Sequence, residues 1–272
     1  MSSYTISAFA DELGPDVDEQ VAVLSRLGIQ EIQLRGAWGK GVLDLSTEEL
    51  RAIRRRAEDA GLGFHAIGSP LGKSYLSEPA SASVDGVGRA AEAARIVGCD
   101  RVRVFSFYLA PDETPEGVRH EVLERLNRMA EAAESEGVIL AHENERDIYG
   151  DTAARCLDLL DNVPGLRCCF DFANFVQVGQ LPGRDCWPLL RDRVLYFDVK
   201  DADSATGQVM PAGEGDGDVR EIIHDALERG FSDRFNLEPH LSSAGRAGGL
   251  TSPEQFESAA SALRRILDSQ PV

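Results

Sequence analysis

The chain alternates eight times between a short apolar run and a longer amphipathic segment. The apolar runs are TISAFA (5–10), IQEIQL (29–34), LGFHAI (62–67), RVRVFSF (101–107), VILAHE (138–143), RCCFD (167–171), VLYFD (194–198) and FNLE (235–238). Runs of this length are typical of buried parallel strands, and parallel strands need helical crossovers between them. The alternation therefore predicts an α/β fold, a single (β/α)8 TIM barrel with parallel strands, for which 272 residues is an ordinary length.

The amphipathic segments carry the signals that begin and end helices. They span residues 16–27, 47–60, 83–97, 115–136, 152–160, 185–190, 219–228 and 253–267. Ser46 stands three residues before Glu49, which is the spacing of a capping box, and Gly98 and Gly137 follow helical runs. Because no low-complexity linker interrupts the repeat, we expect residues 1–272 to form one TIM-barrel domain, with a doubly wound open sheet as the alternative.

The balance of charges limits the partners of this chain. Its formal net charge of −18 leaves no basic track for nucleic-acid phosphates, so we expect no nucleic-acid partner. No apolar stretch approaches the roughly 18 residues of a membrane span, and the N-terminus resembles no signal peptide. We therefore expect a cytoplasmic protein without a membrane partner. The five cysteines lack metal-ligand spacing and are expected to be reduced.

An acidic residue stands at the end of each of the last four apolar runs. These residues are Glu143, Asp171, Asp198 and Glu238. If the strands are neighbours, the four carboxylates converge at the C-terminal rim of the barrel, where such folds bind ligands. One acidic residue at a strand end is usually a helix cap, but four together would repel each other unless a divalent cation neutralised them. The pattern thus predicts a metal site.

Further polar residues are expected to face the same mouth and to contact a small ligand. The predicted substrate-binding residues are His65, Lys73, Arg103, Lys200 and His240. Arg35 belongs to the same group, although internal salt bridges are the alternative role for Arg35 and Arg103. The glycine-rich segment PAGEGDG (211–217) either contacts a ligand or forms a turn. Aromatic residues expected in exposed rim loops, Trp38, Phe175 and Trp187, either contact a second copy in a homo-oligomer, cover the ligand or pack locally within their loops.

Several segments together resemble one known family over nearly the whole chain. They are LRGAWGKGVLDLS, AIGSPLGK, RVFSFY, HENERDIYGDT, FDFANFVQVGQ, VKDA, PAGEGDG and LEPHL. The chain resembles the sugar phosphate isomerase/epimerase family, which has a xylose isomerase-like TIM barrel. The resemblance implies one divalent metal held by Glu143, Asp171, a histidine and Glu238. Asp198 stands at the histidine position, and the resulting all-oxygen set favours Mn²⁺ or Mg²⁺ over Zn²⁺ or Co²⁺.

The resemblance also implies an activity. We expect a metal-dependent isomerase or epimerase of a small sugar or sugar derivative. One of Glu143 and Glu238 would remove the proton beside the carbonyl to give an enediolate, and the other would return it. A keto-polyol dehydratase, a lyase, would use the same residues. A non-catalytic sugar-binding protein that lost its metal with the histidine is a further alternative. An abasic-site endonuclease is disfavoured, because the chain has five histidines and a strongly negative charge.

Overall fold

The computed structural model describes residues 4–245 and 248–269. Eight parallel strands close a barrel in which each strand pairs with its neighbours in the chain and the last pairs with the first. The strands are β1 (Thr5–Ala8), β2 (Glu31–Leu34), β3 (Gly63–Ile67), β4 (Arg101–Val104), β5 (Ile139–Glu143), β6 (Arg167–Asp171), β7 (Val194–Val199) and β8 (Arg234–Leu237). The predicted (β/α)8 TIM barrel is confirmed, and the doubly wound sheet is excluded.

The described residues form nine α-helices. They are α1 (Val17–Arg26), α2 (Thr47–Asp59), α3 (Ala80–Val97), α4 (Pro115–Glu136), α5 (Ala153–Asn162), α6 (Phe172–Gln177), α7 (Trp187–Leu190), α8 (Val219–Glu228) and α9 (Pro253–Asp268). Eight of them coincide with the predicted amphipathic segments. Helix α6 was not predicted; it follows β6 directly, and burial of Phe172 to Val176 gives it no polar face. No described helix is long and apolar enough to cross a membrane.

Local sequence explains where the main helices begin and end. Ser46 accepts a hydrogen bond from the Glu49 amide, and the Glu49 side chain accepts one from the Ser46 amide, so the predicted capping box is present at α2. Ser252 and Gln255 make the same arrangement at α9. Helix α3 ends at Gly98, whose φ of 91° is a left-handed conformation that glycine adopts without a steric cost.

The helices pack on the barrel through a cluster of aromatic rings on the outer face of β6, β7 and β8. Phe197 stacks on Phe172 and Phe235 with ring centroids 5.4 and 5.3 Å apart. Phe170 makes T-shaped contacts with Phe175 and Trp187 in the same cluster. The prediction that Phe175 and Trp187 lie in exposed rim loops is therefore wrong, because both rings are buried between sheet and helices. Each buried ring contributes roughly 1.5–3 kcal/mol through removal of apolar surface from water.

Strand register brings polar side chains to one level inside the barrel. Ser7 pairs in register with Asn236, Asn236 with Asp198, and Asp198 with Asp171. Residues opposite each other in neighbouring strands point to the same side of the sheet. The Ser7 hydroxyl donates to Asn236 Oδ1 at 3.1 Å, and both side chains are fully buried. This polar layer therefore includes two of the acidic residues predicted at the C-terminal mouth.

The glycine-rich segment 211–217 folds around a buried carboxylate. Asp201, which follows Lys200, accepts hydrogen bonds from the backbone N–H groups of Gly213, Gly215 and Gly217 at 3.0, 3.1 and 2.8 Å. A Cβ atom at Gly215 or Gly217 would lie 2.6 Å from Asp201 Oδ1, so the close approach requires glycine at both positions. The segment thus fixes the chain immediately after Lys200, in agreement with the predicted turn.

Candidate functional site

Three of the four predicted acidic residues meet at the barrel mouth. Glu143 ends β5, Asp171 ends β6 and Glu238 follows β8, and each offers a carboxylate oxygen within 4.8 Å of the other two. All three side chains are buried. Carboxylate oxygens at this spacing could hold one divalent cation, which prefers several oxygen ligands at 2.0–2.6 Å.

Protein amides orient the carboxylates of Glu143 and Asp171. The Asn174 side chain donates to Glu143 Oε1 at 3.2 Å, and the Asn174 backbone N–H donates to Asp171 Oδ1 at 2.8 Å. The other oxygens are buried against positive charges: Glu143 Oε2 lies 2.9 Å from Arg103 Nη1, and Asp171 Oδ2 lies 2.6 Å from Lys200 Nζ. On each carboxylate, one oxygen is thus oriented by an amide and the other contacts a positive charge, an arrangement that suits monodentate metal ligands with supporting hydrogen bonds. The donor set therefore fits a divalent cation.

Asp198 lies beside this trio rather than within it. Its Oδ1 accepts a hydrogen bond of 2.7 Å from the Asn236 side chain, and its Oδ2 is buried without a hydrogen-bond donor in the described part of the chain. An Asp198 oxygen lies within 4.8 Å of Glu143 and of the Cys169 sulfur. Arg103 Nη1 is 2.9 Å from Glu143 and 3.9 Å from Asp198, so a guanidinium lies close to both groups. Asp198 is therefore outside the group of three carboxylates whose oxygens all lie within 4.8 Å of one another.

Three buried cations balance the carboxylates. Lys200 Nζ is 2.6 Å from Asp171 Oδ2 and also donates to Glu238 Oε2. Arg103 Nη1 lies between Glu143 and Glu238, at 2.9 and 3.7 Å. Arg35 Nη1 donates to Glu238 Oε1 at 2.9 Å. The internal ion pairs considered for Arg35 and Arg103 are thus present, and both guanidinium groups also lie over the Phe9 ring, at 4.4 and 4.7 Å from its centroid.

The environments of the carboxylates give them different proton affinities. Burial raises the pKa of Glu143 and of Asp171 to about 7, although Arg103 and Lys200 oppose it. Burial and the neighbouring Glu143 raise the pKa of Asp198 to about 8. Burial acts on Glu238 in the same direction, but Lys200, His240 and Arg35 together hold its pKa well below the usual range. Glu238 is therefore ionised at neutral pH, whereas Glu143 can retain a proton there.

His240 and Glu12 extend the site beyond the three carboxylates. His240 Nε2 lies 3.4 Å from both Glu238 Oε1 and Glu12 Oε1. Glu12 accepts hydrogen bonds from the His240 backbone and the Thr251 hydroxyl, at 2.8 and 2.6 Å. Burial raises the pKa of Glu12 to about 8. Sequence reasoning missed Glu12, which lies in a 3₁₀ turn after β1; its place in the segment ADEL, directly after an apolar run, was the available signal.

The remaining predicted residues divide between the mouth and the barrel interior. Lys73 Nζ pairs with Glu145 Oε2 at 2.9 Å and lies 4.3 Å from the centroid of the Phe105 ring. His65 lies deeper, with its ring in T-shaped contact with Tyr196 at 5.1 Å, and burial lowers its pKa well below the usual range. His65 is not among the residues that line the mouth cavity, contrary to the expected position.

Two connected cavities open at the mouth. A small one of about 50 Å³ is lined by Glu238, Lys200, His240 and the other residues around the carboxylates. A larger groove of about 450 Å³ runs over the loops after β1, β2 and β3. Both cavities share Arg35, Lys73 and Arg103. The small cavity suits an ion or reacting atoms, and the groove has the volume that a small organic ligand needs.

Comparisons with known proteins support the family. A sequence model of the xylose isomerase-like TIM barrel family matches residues 21–268. A search of curated proteins finds no match.

Three similar solved structures share the fold. A xylose isomerase-like TIM barrel protein from Mycobacterium smegmatis in complex with magnesium is 19% identical, with a TM-score of 0.74 and 98% of each chain covered. The probable 3-DHS dehydratase involved in petrobactin synthesis from Bacillus anthracis is 18% identical, with a TM-score of 0.75, and covers 96% of this chain and 98% of its own. D-allulose 3-epimerase from Methylomonas sp. is 15% identical, with a TM-score of 0.70, and covers 98% of this chain and 99% of its own. Since the family model matches most of the chain, the protein belongs to the xylose isomerase-like TIM barrel family.

Proposed function

We propose that the protein is a metal-dependent isomerase or epimerase of a small sugar or sugar derivative. The observation that carries this proposal is a pair of buried glutamates, Glu143 and Glu238, that lie against one guanidinium. Glu143 Oε2 and Glu238 Oε1 lie 2.9 and 3.7 Å from the same nitrogen, Arg103 Nη1. Carboxyl groups whose environments separate their pKa values are the usual arrangement for one acid and one base.

The two glutamates have distinct roles in this mechanism. Glu238, ionised because Lys200, His240 and Arg35 surround it, removes the proton beside the substrate carbonyl. Glu143, whose pKa burial raises to about 7, holds a proton that it can return to the substrate. Return to the neighbouring carbon gives an isomerase, and return to the opposite face of the same carbon gives an epimerase. General acid–base catalysis of this kind contributes about 10²- to 10⁴-fold.

A divalent cation held by Glu143, Asp171 and Glu238, with Asp198 nearby, would stabilise the negative charge that develops on the substrate oxygens. The all-oxygen donor set supports Mn²⁺ or Mg²⁺. A structural neighbour, the Mycobacterium smegmatis protein, was solved with magnesium. Lys200, Arg103 and His240 line the small cavity, where they can orient hydroxyl groups, and Lys73 lies where the small cavity meets the groove. His65 has no role in this proposal.

Proton exchange tests the proposal directly. Ketohexoses and ketopentoses are incubated with the protein in D₂O and Mn²⁺, and loss of the hydrogen beside the carbonyl is followed by NMR. We expect exchange and an isomeric product with one of these sugars, loss of both after chelation, and loss of exchange in Glu238→Gln. Glu257→Gln on the exposed face of α9 is the control and should behave as the unchanged protein.

Other outcomes would change the proposed function. Unchanged activity in Glu238→Gln would overturn its role as base. A product lighter by one water would indicate the keto-polyol dehydratase instead; the Bacillus anthracis neighbour is itself described as a probable dehydratase, of 3-DHS. Sugar binding that is insensitive to chelator, with no exchange, would favour a non-catalytic binding protein. Metal content measured by elemental mass spectrometry should be about one ion per chain and should fall in Glu143→Gln.

A further inference from the structure

Lysine is rare in this chain, and its placement is selective. Three of the 28 basic residues are lysines, namely Lys40, Lys73 and Lys200. Lys40 is exposed and pairs with Glu49 at 2.7 Å, whereas Lys200 is buried among the carboxylates. An ammonium group is a compact point charge on a flexible stem, while a guanidinium is a rigid planar fork. In a chain whose basic residues are mostly arginine, the position that contacts two buried carboxylates, Lys200, thus carries a compact and movable charge.

Lys200 contacts the same oxygen atoms that a divalent cation would need. Nζ lies 2.6 Å from Asp171 Oδ2, an oxygen with no other described hydrogen-bond donor, and it also donates to Glu238 Oε2. The amides of Asn174 hold the opposite oxygens of Asp171 and Glu143. Coordination by Asp171 therefore requires Oδ2, so an ion and the ammonium would compete for the same atom.

Arg103 differs from Lys200 in how firmly it is held. Its guanidinium lies between the rings of Phe9 and Phe105, 4.7 and 4.9 Å from their centroids, and its Nη2 donates to the Gly68 carbonyl at 3.5 Å. Lys200 has a linear side chain, and the carboxylate of Glu145 lines the same cavity. Lys200 can therefore withdraw towards Glu145, whereas Arg103 is fixed by its packing on two rings.

We propose that Lys200 is an internal competitor of the divalent cation, which binds only when Nζ leaves Asp171 and Glu238. This inference rests on the proposed metal site. Lys200 then sets the affinity of the site and, once displaced, is available to contact the substrate. Two positive charges within about 4 Å repel strongly in a buried site, so simultaneous occupation is unfavourable.

Metal affinity tests the competition without any substrate. The chain is stripped with chelator and titrated calorimetrically with Mn²⁺ at pH 8, alongside Lys200→Met, Lys200→Arg and the control Lys40→Met. We expect Lys200→Met to bind Mn²⁺ at least about tenfold more tightly, because the competing charge is gone. Lys200→Arg should bind no more tightly than the unchanged chain, and Lys40→Met should match it.

Amine labelling provides a second measurement on the unchanged chain. With three lysines, mass spectrometry can follow the labelling of each one separately. We expect saturating Mn²⁺ to increase the labelling of Lys200 at least about twofold while Lys40 stays constant, since displacement removes both ion pairs. This readout remains informative if Lys200→Met fails to fold.

The outcomes separate this inference from the proposed function. Equal or weaker Mn²⁺ affinity in Lys200→Met, with tight binding by the unchanged chain, would overturn the competition and leave the metal-dependent function intact. Tight binding by Lys200→Met alone would support the competition and contradict a metal-dependent function for the natural chain. Failure of both to bind would overturn both. Lys200 labelling that does not respond to bound Mn²⁺ would also refute the displacement.

Discussion

Asn236 donates to Asp198 Oδ1 across 2.7 Å, and the two residues are partners in register on neighbouring strands. Asn236 itself accepts a hydrogen bond from Ser7, so the amide is held in one orientation. The hydrogen bond uses one oxygen of Asp198, while Oδ2, near Glu143, accepts no hydrogen bond from residues 4–245 or 248–269. An aspartate at this position therefore depends on a buried amide for its orientation.

Asn236→Ala tests that support. Without the amide, Asp198 keeps a fully buried carboxyl group with one hydrogen bond fewer, so we expect the free energy of unfolding to fall by about 1–3 kcal/mol. Urea denaturation followed by circular dichroism measures the change. Asn127→Ala, on α4, removes a more exposed amide that donates to the Leu123 and Asn162 carbonyls, where water can replace it, and should change stability by less than about 0.5 kcal/mol. Equal effects in the two variants would refute the supporting role.

Asp198→His tests why this position matters to the choice of metal. An imidazole adds a nitrogen donor to a site that otherwise offers oxygen, so we expect the preference to move from Mn²⁺ or Mg²⁺ towards Zn²⁺ or Co²⁺. Competition titrations with the chelator-stripped protein measure the ratio of affinities, which should change at least about tenfold. Asp198→Asn serves as the control with an uncharged oxygen donor. An unchanged ratio in Asp198→His would show that residue 198 does not contact the ion.

The raised pKa values predict a pH dependence of stability. The carboxyl groups with raised pKa values of about 7 or 8 are Glu12, Glu143, Asp171 and Asp198. Between the unfolded and folded pKa values, the folded chain holds protons that the unfolded chain has lost, so stability falls as pH rises. The buried histidines, whose pKa values are lowered, act oppositely but only below about pH 6.5.

We therefore expect the unfolding free energy of the chelator-stripped protein to decrease between about pH 6.5 and 8. Asp198→Asn should reduce that decrease by about 1 kcal/mol, because the variant has no proton to lose at this position. Urea titrations at the two pH values measure the difference. Equal slopes for Asp198→Asn and the unchanged protein would mean that Asp198 is already ionised at pH 6.5.

Gly249→Ala should disturb His240. A Cβ at Gly249 would lie 2.3 Å from His240 Cδ2 and 2.5 Å from the Ser243 carbonyl oxygen, and His240 already has a positive φ of 49°. We expect the ring to move away from Glu238, with a loss of about 1–3 kcal/mol in stability and lower kcat at unchanged metal content. Gly88→Ala in α3 meets open space and should stabilise the protein by about 0.5–1 kcal/mol. Full activity in Gly249→Ala would contradict a role for His240.

The barrel was predictable because its pattern is repeated. Each strand is buried on both faces, so eight apolar runs stand out from eight amphipathic helices. Helix α6 was not predictable in this way, since FANFVQ is buried on every side and has no polar stripe. Trp187 and Phe175 were misplaced for a related reason: a ring in a predicted loop can still be covered by a neighbouring helix.

The site was partly predictable because strand ends converge in a parallel barrel. Glu143, Asp171 and Glu238 follow from that rule alone. The rule does not predict how deep in the barrel a side chain lies. His65 was expected at the mouth, but its ring packs against Tyr196 in the interior. Nor does sequence reveal which cation pairs with which carboxylate, since Lys200 follows β7 and contacts both Asp171 at the end of β6 and Glu238 after β8.

The contact of His65 with Tyr196 has a consequence for access to the candidate site. Gln33 donates to the Tyr196 hydroxyl at 3.3 Å, and these three buried side chains fill the interior beneath the carboxylates. Within the described residues, the candidate site is therefore closed below and opens at the C-terminal mouth. A small ligand bound there enters and leaves through the same opening.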